Sequence, residues 1–179
     1  MVWTPPLTAI AGSVLTAAEW NTSVRDNLNE TAPAKATQAA TLFVGTGVNS
    51  IVERLPVEDA IVTQETTTST TPDDLATVGP TVTATTSTNA IIFLRSGLQN
   101  SIAGATTIAG YETSGATTLA ANLARAISSD GLDANSRIRV GTTIFTDDLT
   151  PGSNTFQMKY WVSGGTGTYI HRQISVIPL

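Results

Sequence analysis

The sequence predicts a mainly β protein: a short N-terminal helix and extended arm with a small hairpin, then an antiparallel β-sandwich head of jelly-roll-like type. Three observations carry this. Threonine is scattered along the chain and clusters at 66–71 and 81–88, and a β-branched side chain with a hydroxyl suits a pleated, half-exposed face. Apolar and polar residues alternate in short runs between Gly, Pro, Asn and Asp clusters, with no strand–helix–strand rhythm. Strong helix signals are confined to the opening segment.

That segment runs WTPPLTAIAGSVLTAAEWNTSVRDNL, residues 3–28. Thr16 followed three residues later by Glu19 is a capping box, with Leu15 and Trp20 placed as a hydrophobic staple. Trp20, Val24 and Leu28 recur at spacings of four and make one narrow apolar stripe. A stripe of that width cannot bury itself, so the helix needs another surface to lie on. Trp3, Leu15, Trp20, Val24 and Leu28 are therefore the candidate attachment residues.

Pro33 and small residues stop the helix, and residues 29–40 read as a linker or arm. Leu42–Val44 and Ile51–Leu55 flank the turn residues Gly45, Gly47 and Asn49, a hairpin closed by Pro56. The organisation expected is 1–40 helix and arm, 41–56 hairpin stalk and 57–179 sandwich. Within the last part, Ile61–Glu65 is a strand candidate and Pro72-Asp73-Asp74 a turn. Val82 and Ala84 share one face of the next strand. Residues 90–94, AIIFL, are apolar on both faces, as in a central strand or one lying against another subunit. Thr106–Thr113 is a strand with Gly110 as a candidate bulge. Residues 117–127 fit a helix through Leu119, Leu123 and Ile127. Arg137–Thr146 sets Ile138, Val140 and Ile144 on one face. Finally Phe156, Met158, Tyr160 and Val162 alternate, Gly164-Gly165-Thr166-Gly167 turns, and a return strand carries Ile170, Ile174 and Val176, a pairing that reads as a hairpin. Arg172 falls on that apolar face, so a bulge, a sheet end or a subunit contact is needed beside it.

Composition excludes several functions. Charged residues are 13% of the 179, the formal net charge is −5 and lysine occurs only at Lys35 and Lys159; such a surface does not suit nucleic acid. No cysteine is present, so there is no disulfide, thiolate metal site or thiol nucleophile. The start lacks a basic region followed by a long apolar run, so no secretory signal is expected, and no apolar run approaches the roughly 20 residues of a membrane span. His171 has no Ser, Cys or second His pattern around it and reads as a strand-surface residue. Glu58-Asp59, Asp73-Asp74 and Asp147-Asp148 are adjacent acids, which point to opposite faces of a strand or sit solvated in loops, unlike a facing glycosidase pair. No catalytic, cofactor or metal residue is assigned, and no enzyme activity is expected. Tyr160, Trp161 and Tyr169 are the candidate ligand face, a sugar-stacking cluster, with packing in the core and rim as the competing reading.

The opening pattern WTPPLxxIxGxVLTAAEWNxxVRDNL resembles the N-terminal signature of tailed-bacteriophage virion proteins, mainly minor tail and fibre proteins. The stretch ATLFVGTGVNSIVERLPV is similar to a hairpin frequent in phage fibres, of the form DLxVGTGxxxxxxLPVG, with Thr41 in place of the acidic residue and Glu58 in place of the last glycine. The ending LTPGSNTFQMKYWVSGGTGTYIHRQISVIPL resembles the last two strands of sandwich domains at the C-termini of such proteins. Together these stretches cover most of the first 58 residues and the last 31. The resemblance implies a virion location, homotrimers on a coaxial N-terminal stalk, and other virion proteins of the tail, neck or capsid as partners. A tail-associated fibre or minor tail protein is the leading expectation. A capsid decoration or head-fibre protein is its alternative, and a host receptor- or carbohydrate-binding module is a second.

Overall fold

The computed structural model describes residues 4, 5, 7, 8 and 10–179; Trp3, one of the candidate attachment residues, lies outside the described residues. The chain divides into two units, residues 1–55 and 56–179.

In the first unit, helix α1 (Ala17–Trp20) starts at Thr16 and continues in wider π turns over Asn21–Asp26. Its start is the capping box: Glu19 N–H donates to Thr16 Oγ1 at 3.2 Å, and Thr16 N–H donates back to Glu19 Oε2 at 2.8 Å. A second helical turn, α2, spans Ala32–Lys35. Strands β1 (Leu42–Gly47) and β2 (Ser50–Arg54) form the expected antiparallel hairpin. Its turn is Val48–Asn49, where Asn49 takes φ +56°, a conformation that asparagine tolerates better than most residues.

The second unit is an antiparallel sandwich. Strands β5 (Thr81–Thr86), β10 (Gly152–Val162), β7 (Thr107–Gly115) and β8 (Ala126–Ser129) make one sheet in that order. In the other, β3 (Val57–Ile61), β11 (Gly167–Pro178), β6 (Ala90–Asn100) and β9 (Arg137–Thr146) lie side by side, and β4 (Glu65–Thr67) also pairs with β11. With β3 and β4 taken as one interrupted strand, this is the eight-strand order of a jelly roll. The chain changes sheet at nearly every connection, so the strands interleave.

The core lies between the sheets. Val82, Ala109, Tyr111, Phe156, Met158 and Tyr160 from one sheet meet Ile92, Leu94, Leu98, Tyr169, Ile174 and Val176 from the other. Each large side chain buried there contributes about 1.5–3 kcal/mol. Period-two burial along β5 and β10 follows directly from the alternation in sequence.

Several expectations are corrected. β10 and β11 are not a hairpin: β10 pairs with β5 and β7, β11 with β3, β4 and β6. Both have one apolar face, and those faces meet across the sandwich instead of lying side by side. β11 carries a bulge, where Ile170 pairs with Gly97 but Gln173 with Arg95, and His171 takes φ +51°. The extra residue switches parity. Tyr169, Arg172, Ile174 and Val176 therefore point inward, while Ile170 does not share their face. Ile61–Glu65 is not one strand, since the chain leaves the sheet between β3 and β4. Residues 117–127 form a single tight turn at Leu123–Arg125 leading into β8. There, Ile127 is buried by strand pairing and Leu123 is left exposed. Gly110 is no bulge, because its strand keeps register on both sides.

Candidate functional site

The first unit has an inverted interior. Among its described residues the buried side chains are Asn27 and Glu30, both polar, and no apolar side chain is buried. Its cohesion is polar. Asn27 Oδ1 accepts from Thr4 N at 2.9 Å, and Asn27 Nδ2 donates to Thr4 O at 3.0 Å and Ser23 O at 3.1 Å, which fastens the Thr4 backbone against the end of the helical segment. Lys35 Nζ lies 2.7 Å from Glu30 Oε2 and donates to Ile51 O at 3.0 Å. Glu53 accepts from the N–H of Thr37 at 3.1 Å and of Gln38 at 3.3 Å, joining the arm to β2.

The apolar side chains point outward. Trp20 is 55% exposed and Leu28 59%, and Leu15 is exposed too, while Val24 is half-buried. Leu7, Ile10, Val14, Leu42, Phe43, Val48 and Leu55 are exposed as well. More than half of the large exposed apolar side chains among the described residues thus come from less than a third of the chain. An isolated hairpin and a helix this short are marginal in water without an apolar partner. Asn27, Glu30 and Glu53 escaped sequence reasoning. Their spacing to Thr4, Lys35 and Thr37 follows no local motif: the 23-residue reach of the Asn27–Thr4 contact places the segment before the helix, and the Glu53 bonds to Thr37 and Gln38 place the arm.

The candidate ligand face Tyr160, Trp161 and Tyr169 is corrected. Tyr160 and Tyr169 are 0% exposed and pack edge to face, ring centres 4.9 Å apart. Tyr160 Oη donates to Gly79 O and Tyr169 Oη to Trp161 O, each at 2.7 Å. Burial pushes both phenols above their usual range. Trp161 is 7% exposed on the outer side of its sheet. Its ring lies over Gly110, where an added Cβ would sit 2.9 Å from Trp161 Cη2 and 3.0 Å from Arg125 O. The two tyrosine rings are enclosed in the core and offer no stacking face, while Trp161 lines a surface hollow with Pro72 and Leu123.

Arg172 is fully buried. Its Nη2 is 3.0 Å from Glu65 Oε2, and its guanidinium stands 5.3 Å from the centre of the Tyr160 ring. Glu65 also accepts from Thr77 N–H at 3.1 Å and from Thr77 Oγ1 at 2.5 Å. Burial works to raise the Glu65 carboxyl, but the Thr77 and Arg172 bonds outweigh it and hold the group below its ordinary value. This pair ties the β3–β4 interruption to β11.

Of the adjacent acids, all but the exposed Asp147 are engaged in structure. Asp74 bonds Lys159 Nζ at 2.9 Å and Gln157 Nε2 at 2.7 Å, and Glu112 lies 3.2 Å from the same Lys159. Asp73 bridges Tyr160 through its backbone. Glu58 accepts from Gln173, and Asp59 from Thr81 N–H. Asp148 pairs with Arg125 at 2.8 Å and with the Thr146 hydroxyl. His171 is exposed. Among the described residues no group of three or more His, Asp or Glu side chains is placed to hold a metal ion, and no helix is long and apolar enough to cross a membrane.

No family model matches the sequence, and no curated protein matches it. Solved structures do. A structure of Eiger TNF from S. frugiperda shares 9% identity over 70% of this chain and 92% of that one, with a TM-score of 0.49. The infectious bursal disease virus VP2 subviral particle shares 17% identity over 75% of this chain and 36% of that one, with a TM-score of 0.42. The Gt strain of that virus shares 14% identity, over 75% and 37%, with a TM-score of 0.43. The chain thus spans little more than a third of those viral chains.

Proposed function

We propose that this chain is a structural component of a tailed-bacteriophage virion, a trimeric fibre or minor tail protein held to the particle by its N-terminal unit, with the sandwich as its projecting head. The observation that supports this is the contrast between the two units. Residues 56–179 enclose an apolar core, whereas the described part of 1–55 buries no apolar side chain and exposes many. A surface of that kind is covered in the working assembly by other chains. Copies of itself and other virion proteins are the partners that the opening motif suggests. The mechanism is binding without chemistry: Leu15, Trp20, Val24 and Leu28 supply apolar area, and Trp3 is assigned to the same role from its place in the motif.

The reading is tested by the double substitution Trp20→Asp, Leu28→Asp. Neither residue belongs to the head's core, so the head's melting temperature stays at the wild-type value. Each lost side chain removes about 1.5–3 kcal/mol of burial, so particle incorporation falls by about a hundredfold or more. Incorporation at the wild-type level would defeat the assignment of these residues.

A further inference from the structure

The head has four sheet edges, and one of them stands apart. β8 has 4 residues, β5 has 6, and the β3–β4 edge is interrupted between Ile61 and Glu65. β9 has 10 residues, keeps unbroken register with β6 and contains no proline. Among the described residues, no backbone hydrogen bond other than those to β6 involves residues 137–146. Half of this strand's N–H and C=O groups therefore face outward unpaired. Natural sheets blunt such an edge by shortening, interruption, bulge, proline or charged side chains; β9 carries only the last, as Arg137 and Arg139, and Arg137 is already bonded to Gln99 and Gln64.

Its side chains choose a partner. Arg139 near one end and Asp147 just past the other are both exposed, and neither has a hydrogen-bond or ion-pair partner among the described residues. A parallel copy would set Arg139 against Arg139. An antiparallel copy related by a two-fold axis at Thr143 sets each Arg139 against the partner's Asp147. The same register brings the partner's Phe145, a ring 59% exposed here, opposite Gly141. Gly141 forms the floor of a groove on the outer face of the sheet, with Phe93, Arg95 and Thr143 among its other walls. Covering a strand glycine with a cross-strand aromatic is a known stabilising arrangement. On the axis, Thr143 meets its own copy, a favourable cross-strand pair.

We propose that β9 is a self-pairing edge: two heads join antiparallel through their β9 strands, making one continuous sheet across a two-fold axis. The interface is isologous, uses main-chain hydrogen bonds for affinity and takes its register from Arg139, Gly141, Thr143, Phe145 and Asp147. It lies wholly within residues 56–179, and because three heads on the proposed three-fold stalk cannot all satisfy a two-fold contact among themselves, it joins heads of different trimers.

The chain has no cysteine, so one introduced thiol reports its own neighbours. Thr143→Cys in the full-length protein places two thiols across the axis, within the Cα separation a disulfide accepts. Under mild oxidation it is expected to form a covalent dimer on a non-reducing gel. Thr85→Cys, exposed on the β5 edge, is expected not to. Adding Arg139→Glu sets like charges opposite one another and slows cross-linking about tenfold, and adding Asp147→Arg to that variant restores it. Circular dichroism confirms that every variant folds. Absence of the Thr143→Cys dimer, cross-linking no faster than at Thr85→Cys, or failure of the charge swap to restore it would overturn the proposal.

Discussion

At the scale of single residues, Arg172 shows how a charge is accommodated in an apolar strand. Its position on the Ile174–Val176 face is legible from alternation, as is the need for a nearby irregularity. Its partner is not, because Glu65 lies far away in sequence and is brought close only by the β3–β4 interruption. The pair makes stability depend on acid. Glu65 has a folded value below its ordinary 4.5. Its contribution is therefore complete above that unfolded value and is lost as pH falls through the lower folded value. Chemical denaturation from pH 6 down to pH 3 is expected to show declining stability, with a shallower decline in Glu65→Gln. An identical acid limb in the two proteins would remove Glu65 from the account. The tyrosines teach a related lesson: Tyr160, Trp161 and Tyr169 are adjacent in sequence and space, but clustering does not say whether rings face solvent or one another.

At the scale of elements, alternation identified most of the longer strands and their inward faces, but not β3, β4 or β8. Val82 and Ala84, Phe156 to Val162 and the central β6 all lie as the pattern requires. Alternation says which face is buried but not which strand is the neighbour, so β10 and β11 looked like a hairpin although they belong to opposite sheets. Residues 117–127 mimic a helix because Leu119, Leu123 and Ile127 recur every four residues, yet tertiary pairing of β8 with β7 overrides that spacing. Gly110 has a packing reason instead of a conformational one. Gly110→Ala forces its methyl against the Trp161 ring and the Arg125 carbonyl, and overpacking of this kind costs about 1–3 kcal/mol. Urea denaturation should register that loss. Measured in a Trp161→Ala background, the same Gly110→Ala substitution should cost less, because the ring it clashes with is gone.

At the scale of the whole molecule, the two units follow opposite rules. The head obeys ordinary burial, with apolar side chains inside and its few acids paired or solvated. Among its described residues the N-terminal unit buries polar groups and leaves its apolar ones half-buried or exposed, joined by Asn27, Glu30 and Glu53. The helix cap and the hairpin were legible in the sequence, and so was the shortage of apolar cover; the wider π turns over Asn21–Asp26 were not. The arm's path was not legible, because side-chain amides and carboxylates reaching across 15 to 23 residues leave no periodic trace. On the proposed function, residues 1–55 are covered by other chains and 56–179 fold without them. Deleting residues 1–55 and following both thermal unfolding and incorporation into particles tests it most directly. The truncated head is expected to unfold cooperatively at the full-length melting temperature and to be absent from particles; normal incorporation, or failure to fold, would overturn the proposed division of roles.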